Sequence, residues 1–270
     1  MAVTSNKYII QNMERLSCFD LTDGTCLFIA EDLQEANMTN EQEDVYATGK
    51  NGVKIGSGSR NKASRITATS GSILDGVIAT QVGSDIKLET VHVPHMEILT
   101  VGAGKTATLT YKAIGAEGNE VPFIYERNSD GTLGKKYAIN SAATADQFSF
   151  NATTGVITCP TGMTEGTQIV VWYDVEAKNA KHIVNADNVF SRELKIVADV
   201  WARGTCDGKD YYGKVIYGRA KASGNFELAF GNDPSVQNME FEALSNSCSG
   251  AGNLLWDFFI FDGEDISKVG

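Results

Sequence analysis

The stretch Val101-Gly102-Ala103-Gly104-Lys105-Thr106-Ala107-Thr108-Leu109-Thr110-Tyr111-Lys112 admits two readings, and they lead to different folds. Its first half imitates a phosphate-binding loop, which would place the chain among α/β nucleotide hydrolases. Such a loop needs Gly-x-x-x-x-Gly-Lys-Ser/Thr after a buried strand, with a helix opening at the lysine. The position five residues before Gly104 is Leu99, so the leading glycine that lets the backbone wrap a phosphate is missing. The second half, Thr106–Lys112, is rich in threonine and alternates in polarity, which suits a strand and not a helix. No aspartate at the end of a second apolar strand offers itself as a magnesium partner. The stretch therefore reads as a glycine-rich turn between strands, and the nucleotide reading falls.

Outward from this turn the same alternation continues. "TATLTYKAI", "EVPFIYER", "KKYAIN", "FSFNATTGVITCP" and "TQIVVWYDVEAK" carry it through residues 102–185. Turn signals recur at Gly115–Asn119, Ser129-Asp130-Gly131, Thr154-Gly155 and Thr161-Gly162. The last third repeats the pattern in "ELKIVADVWARGTC", "KDYYGKVIYGRAKAS", "NFELAFG", "VQNMEFEALSN" and "LLWDFFIFDGED". Near the start, "CFDLTDGTCLFIAED" (Cys18–Asp32) reads as a strand pair about the Asp23-Gly24 turn. One segment stands apart: in Ser70–Ile86, Ile73, Leu74, Val77, Ile78 and Val82 fall at helical spacing, and Gly83 supplies a stop. The expected fold is all-β, a sandwich or barrel of mostly antiparallel strands with one main α-helix.

Composition narrows the function. With 270 residues the chain is long enough for one large β domain or two smaller ones. A net charge of −11 argues against sequence-independent nucleic-acid binding, which requires a basic face. No N-terminal stretch has a secretion signal's apolar core, and no run is long enough to span a membrane. The five cysteines are scattered, without a Cys-x-x-Cys pair, and read as free thiols, several of them buried. His92 and His95 have a His-x-x-His spacing, but Pro94 disfavours a helix and no third metal ligand stands out. Acidic residues lie mostly at turns, where Asp and Gly are expected for backbone reasons. Trp172, Tyr173, Trp201, Tyr211, Tyr212 and Trp256 sit inside strand patterns, as core or interface anchors. No catalytic residue, cofactor-binding residue or metal ligand is assigned, and the chain is not expected to be an enzyme.

What the sequence does offer is separated charge. Glu31, Asp32, Glu35, Glu41, Glu43 and Asp44 carry no base among them; Lys50, Lys54, Arg60, Lys62 and Arg65 carry no acid. With glycines at 49, 52, 56 and 58 between and among them, residues 31–64 read as a long, mobile loop or hairpin outside the core. Opposite charges of this kind suit an acidic edge of one subunit meeting a basic loop of another. These eleven residues are the candidate subunit-stacking interface.

The order of features resembles phage tail-tube (major tail) proteins. The counterparts are the strand pair Cys18–Ala30, the loop 31–64, the strand Arg65–Thr69 and the helix Ser72–Gly83. The C-terminal part adds "KVIYGRAKASGNFELAFGNDPSVQNMEFEAL" (Lys214–Leu244) and "LLWDFFIFDGED" (Leu254–Asp265), and "ARGTCDGKDY" (Ala202–Tyr211) is similar to structural proteins of phages infecting Firmicutes-like hosts. The resemblance implies a tail-tube-like core from residues 1–100 and 186–270. Residues 101–185 would then be a β-rich extension of the sandwich or an inserted Ig-like domain. It further implies rings of six subunits sharing an inner β-barrel and stacking through the long loop into a conduit for DNA ejection. The lumen would be acidic, passing phage DNA without binding it, and the basic stretch 50–65 would face an acidic neighbour and order on stacking. Implied partners are other copies of the chain, a tape-measure protein, a tail terminator and a sheath, but no membrane. The location implied is the virion tail, after synthesis in the host bacterial cytoplasm. Competing readings are a phage head decoration or fibre protein, a secreted carbohydrate-binding or adhesin module, and a β-sandwich glycosidase with the scattered acids as its only support.

Overall fold

A computed structural model describes residues 7–232, 234–245, 253–262 and 266. In chain order the strands are β1 (Tyr8–Asp20), β2 (Cys26–Ala30), β3 (Leu33–Thr48), β4 (Lys54–Ser70), β5 (Lys87–Thr100), β6 (Thr106–Thr108), β7 (Phe123–Arg127) and β8 (Leu133–Ile139). They continue as β9 (Gln147–Asn151), β10 (Val156–Thr158), β11 (Gln168–His182), β12 (Glu193–Gly204), β13 (Asp210–Ala222), β14 (Gln237–Ala243) and β15 (Asp257–Asp262), with the helix α1 (Asp75–Val82) between β4 and β5. The protein is all-β with a single α-helix among the described residues.

The chain divides into two compact units, Met1–Ile86 with Ile183–Gly270, and Lys87–His182. In the first unit one sheet runs β2-β1-β12-β13-β14-β4-β3. The second edge of β13 is shared end to end: Tyr211–Ile216 pair with β15, and Ala220–Ala222 pair with β14. The core follows from period-2 alternation. In β12, Leu194, Ile196, Ala198, Val200 and Ala202 turn inward, and β14 alternates buried and exposed along its whole length. These residues meet Leu16, Ile66, Tyr217, Met239 and Phe241 in one buried cluster. A fully buried aliphatic or aromatic side chain contributes about 1.5–3 kcal/mol over an exposed one, so this cluster carries the unit's stability.

The second unit is a separate sheet, β5-β11-β7-β8-β9-β10-β6, antiparallel except for a short parallel contact of β8 with β9. Its own core contains Val121, Ile124, Phe148, Ile157, Ile169 and Val171. Residues 87–100, which the sequence grouped with the flanking segments, form β5 and pair with β11 from Lys87↔His182 to Thr100↔Gln168.

Three expectations are sharpened or corrected here. Of the two alternatives for residues 31–64, loop or hairpin, the structure has the hairpin: they are mostly β3 and the outer part of β4, paired from Leu33↔Ser70 to Thr48↔Lys54. The helix spans Asp75–Val82 and not 72–83. Ser70 Oγ accepts the Ser72 N–H at 3.2 Å and Ser72 Oγ donates to Asp32 at 2.8 Å, which fixes residues 70–72 as a turn. Ile73 lies before the helix and is 43% exposed, so it is no part of the buried stripe. Finally, the strand expected over Thr106–Lys112 stops at Thr108. Beyond it Glu97 takes the Thr110 N–H at 3.1 Å and the Tyr173 hydroxyl takes the Tyr111 N–H at 3.4 Å, drawing the chain off the sheet.

The stretch 101–106 is a turn, as its sequence indicates. Ala103–Lys105 form one 3-10 turn between β5 and β6, with Gly104 at φ 76. Lys105 Nζ is turned onto the Thr161 carbonyl. No α-helix follows it, so the geometry of a phosphate loop is absent from these described residues.

Candidate assembly interface

β3 and β4 form a two-stranded ribbon that leaves the core of the first unit. At its base Leu33, Ala36 and Met38 pack against the core cluster. Where it departs, Ser64 Oγ donates to the Thr39 carbonyl at 2.9 Å and lies 3.0 Å from the buried Tyr217 hydroxyl. Burial raises the Tyr217 pKa. Beyond this point every residue of β3 from Thr39 to Thr48 is exposed, as is every residue of β4 from Lys54 to Lys62. The projecting part buries no side chain at all. A lone two-stranded ribbon is marginal in water.

Two irregularities shape its projecting part. Glu41 pairs with Ala63 but Glu43 pairs with Arg60, so β4 carries an extra residue there. Asn61 absorbs it at φ 53, a conformation that asparagine tolerates. Its side-chain amide donates to Glu43 at 2.7 Å. Such a bulge bends the ribbon and increases its twist. A second shift lies between Ala47 and Thr48, just before the tip, where the Gly49 N–H bonds the Val53 carbonyl at 2.7 Å.

Both long edges are open. Among the described residues β3 has no strand on its outer side, and β14 covers β4 only over Arg65–Ser70. Acids line one strand and bases the other: Glu41, Glu43 and Asp44 on β3, and Lys54, Arg60, Lys62 and Arg65 on β4. Of the candidate residues only Glu43 and Arg60 meet each other, in a two-pronged contact of 2.7 and 3.0 Å. The Arg60 guanidinium, followed by the Asn61 amide, holds the Glu43 carboxyl below its usual range. Asp44 accepts from the Ser59 hydroxyl at 2.7 Å, and Lys54 Nζ sits 3.5 Å from the centre of the Tyr46 ring. Glu41 and Lys62 are exposed on the projecting part, and Lys50 is exposed in the tip turn.

The other candidates lie at or below the ribbon's base. Glu31 pairs with Arg15 at 2.9 Å and Arg65 with Glu240 at 3.3 Å. Asp32 is held by Ser72, and Glu35 is exposed on the base of β3. Sequence reasoning missed the apolar side chains beside the tip: Val45, Tyr46, Val53 and Ile55 are 42%, 43%, 60% and 71% exposed. Their signal is "VYATGKNGVKI", two apolar pairs flanking a glycine turn.

His95 packs edge-on between Tyr111 and Tyr173 and lies 3.4 Å from Glu97, while His182 lies 2.5 Å from Glu89. Among the described residues no three His, Cys, Asp or Glu side chains gather as metal ligands. Cys18, Cys26, Cys159 and Cys206 are free, and Cys248 lies outside the described residues. Burial pushes the Cys18 thiol up strongly and that of Cys159 to about 11. No helix of the described residues is long and apolar enough to cross a membrane. Residues 8–255 match the YomU/Tube protein family. No curated protein matches the chain.

Proposed function

The chain belongs to the YomU/Tube protein family, and from that premise we propose that it is the subunit of a phage tail tube, closing into rings through its β3–β4 ribbon. The observation that carries this reading is a solvent-exposed ribbon with two open edges of opposite charge. The unpaired stretch of β4 (residues 54–64) and the projecting stretch of β3 (residues 40–48) are of similar length. The basic edge of one copy therefore fits the acidic edge of the next, a head-to-tail contact that closes into a ring. Closure removes edges that would otherwise template aggregation. A six-membered ring follows the family resemblance.

Rings stacked on a common axis make a conduit for DNA ejection. The chain's net charge of −11 suits a wall that phosphates must slide past rather than stick to. A tape-measure protein in the bore, a terminator at the end and a sheath outside are the partners such a tube calls for. Residues 87–182 serve as an inserted domain added to the tube subunit. Negative-stain microscopy of the purified protein tests the reading: cylinders of uniform bore support it, and discrete particles at every concentration contradict it.

A further inference from the structure

We propose that the outer face of the second unit's sheet binds an anionic polysaccharide, a chain of sugar rings bearing carboxylate or phosphate groups. The site lies wholly within Lys87–His182, outside the elements that carry the tube reading. In that unit Leu99, Ile124, Tyr137, Ile169 and Val171 belong to the core, so strand alternation turns their neighbours to the opposite face. Across β5, β11, β7 and β8 those neighbours line up as Ile98–Val170–Tyr125–Lys136, with Thr100–Gln168–Arg127 as the adjacent polar row. Met96 and Trp172, themselves cross-strand partners, flank the first row on its other side. Met96 and Ile98 are 47% and 45% exposed. Val170 is only 4% exposed yet belongs to neither core cluster, so it is the floor of an apolar patch on this face.

Rings and charges together decide what covers the patch. Phe123, Tyr125 and Trp172, all half-buried, follow one another with ring centroids 5.8 Å apart at each step and planes turned by 82° and 90°. That step is close to the length of one sugar residue, and aromatic faces suit the C–H groups of a sugar ring. Charge then selects an anionic chain. In a protein of net charge −11, Lys136 and Arg127 make no ion pair among the described residues. Lys136 Nζ stands 4.2 Å from the centre of the Phe123 ring and 5.9 Å from that of Tyr125, while Arg127 donates to the neutral Gln168 amide oxygen at 2.7 Å. An apolar protein partner would take both cations out of water without a counter-charge. Carboxylates or phosphates along a glycan would accept charge-assisted hydrogen bonds from them. The acids of β11 on this face, Asp174 and Glu176, lie beyond Trp172 at the end away from Arg127, so the anionic groups are held at the Lys136–Arg127 end. A nucleic acid would call for a broader basic groove than two cations supply.

The test measures retention of the full-length chain on four immobilised probes: phosphomannan and oligogalacturonate as anionic glycans, unphosphorylated mannan, and oligothymidylate. The chain should be held by an anionic glycan and pass over the other two. Lys136→Glu with Arg127→Gln changes surface charge beside the rings and should weaken that retention about tenfold with thermal unfolding unchanged. Trp172→Ala should weaken it as well, whereas Tyr212→Ala, at a ring 42% exposed in the first unit, should not. Passage over both anionic glycans, equal retention on mannan, or undiminished retention of the charge variant overturns the proposal. Stronger retention on oligothymidylate overturns it too, by making the face a nucleic-acid surface. None of these results depends on whether the chain forms cylinders, so the tube reading stands or falls separately.

Discussion

At the scale of single residues, two glycines fix the helix against the sheet. A Cβ on Gly76 would lie 2.7 Å from the Leu27 carbonyl and from the Phe28 side chain, so only glycine lets α1 sit this close to β2. Gly83 ends the helix at φ 76, and a Cβ there would lie 1.9 Å from the Phe190 carbonyl. Gly24 has a similar φ of 74 but open space around it. Gly83→Ala should therefore destabilise by the conformational cost of about 1 kcal/mol plus a steric cost of roughly 1–3 kcal/mol, and Gly24→Ala by the conformational cost alone. Chemical denaturation of the two variants checks this; equal midpoints would show that the contact with Phe190 relaxes freely. Gly83 was legible as a stop signal because a helix end favours glycine locally. Gly76 was not, because its constraint comes from β2, far away in sequence. The same limit applies to charge: nothing near Glu31 or Arg65 announces that Arg15 and Glu240 will meet them.

At the scale of elements, strands were the most readable part of the chain, since alternation in "ELKIVADVWARG" directly records one buried and one solvated face. The ribbon was less readable for a physical reason. Both faces of β3 and β4 meet solvent, so no apolar period marks them, and their polarity and glycines imitate a loop. The charge separation was visible, but its meaning depends on pairing, which puts acids along one edge and bases along the other. This arrangement makes a directional prediction. Lys54→Glu with Lys62→Glu should abolish assembly by setting like charges across the ring contact, while leaving the core untouched. A chain carrying Glu41→Lys and Asp44→Lys on the opposite edge should co-assemble with it. Sedimentation of the mixed and separate chains checks this, and co-assembly no better than either chain alone would remove charge from the account.

At the scale of the whole molecule, the second unit enters and leaves the chain at one point. Lys87 and His182 are direct cross-strand partners, so the ends of the inserted segment lie side by side. Replacing residues 87–182 by a short Gly-Asn turn should give a protein that retains the first unit's cooperative unfolding and still assembles, because each unit has its own core. Loss of folding in that deletion would show that the two units depend on one another. In the proposed tube, strand edges left open in one copy are completed by the next. Amide hydrogen exchange read by mass spectrometry on free subunits and on assembled protein measures those edges themselves. Residues 40–48 and 54–64 should exchange rapidly in the free subunit and slow by at least tenfold on assembly, while the buried strand β12 is protected in both. Equal exchange of the ribbon in the two states would contradict the account.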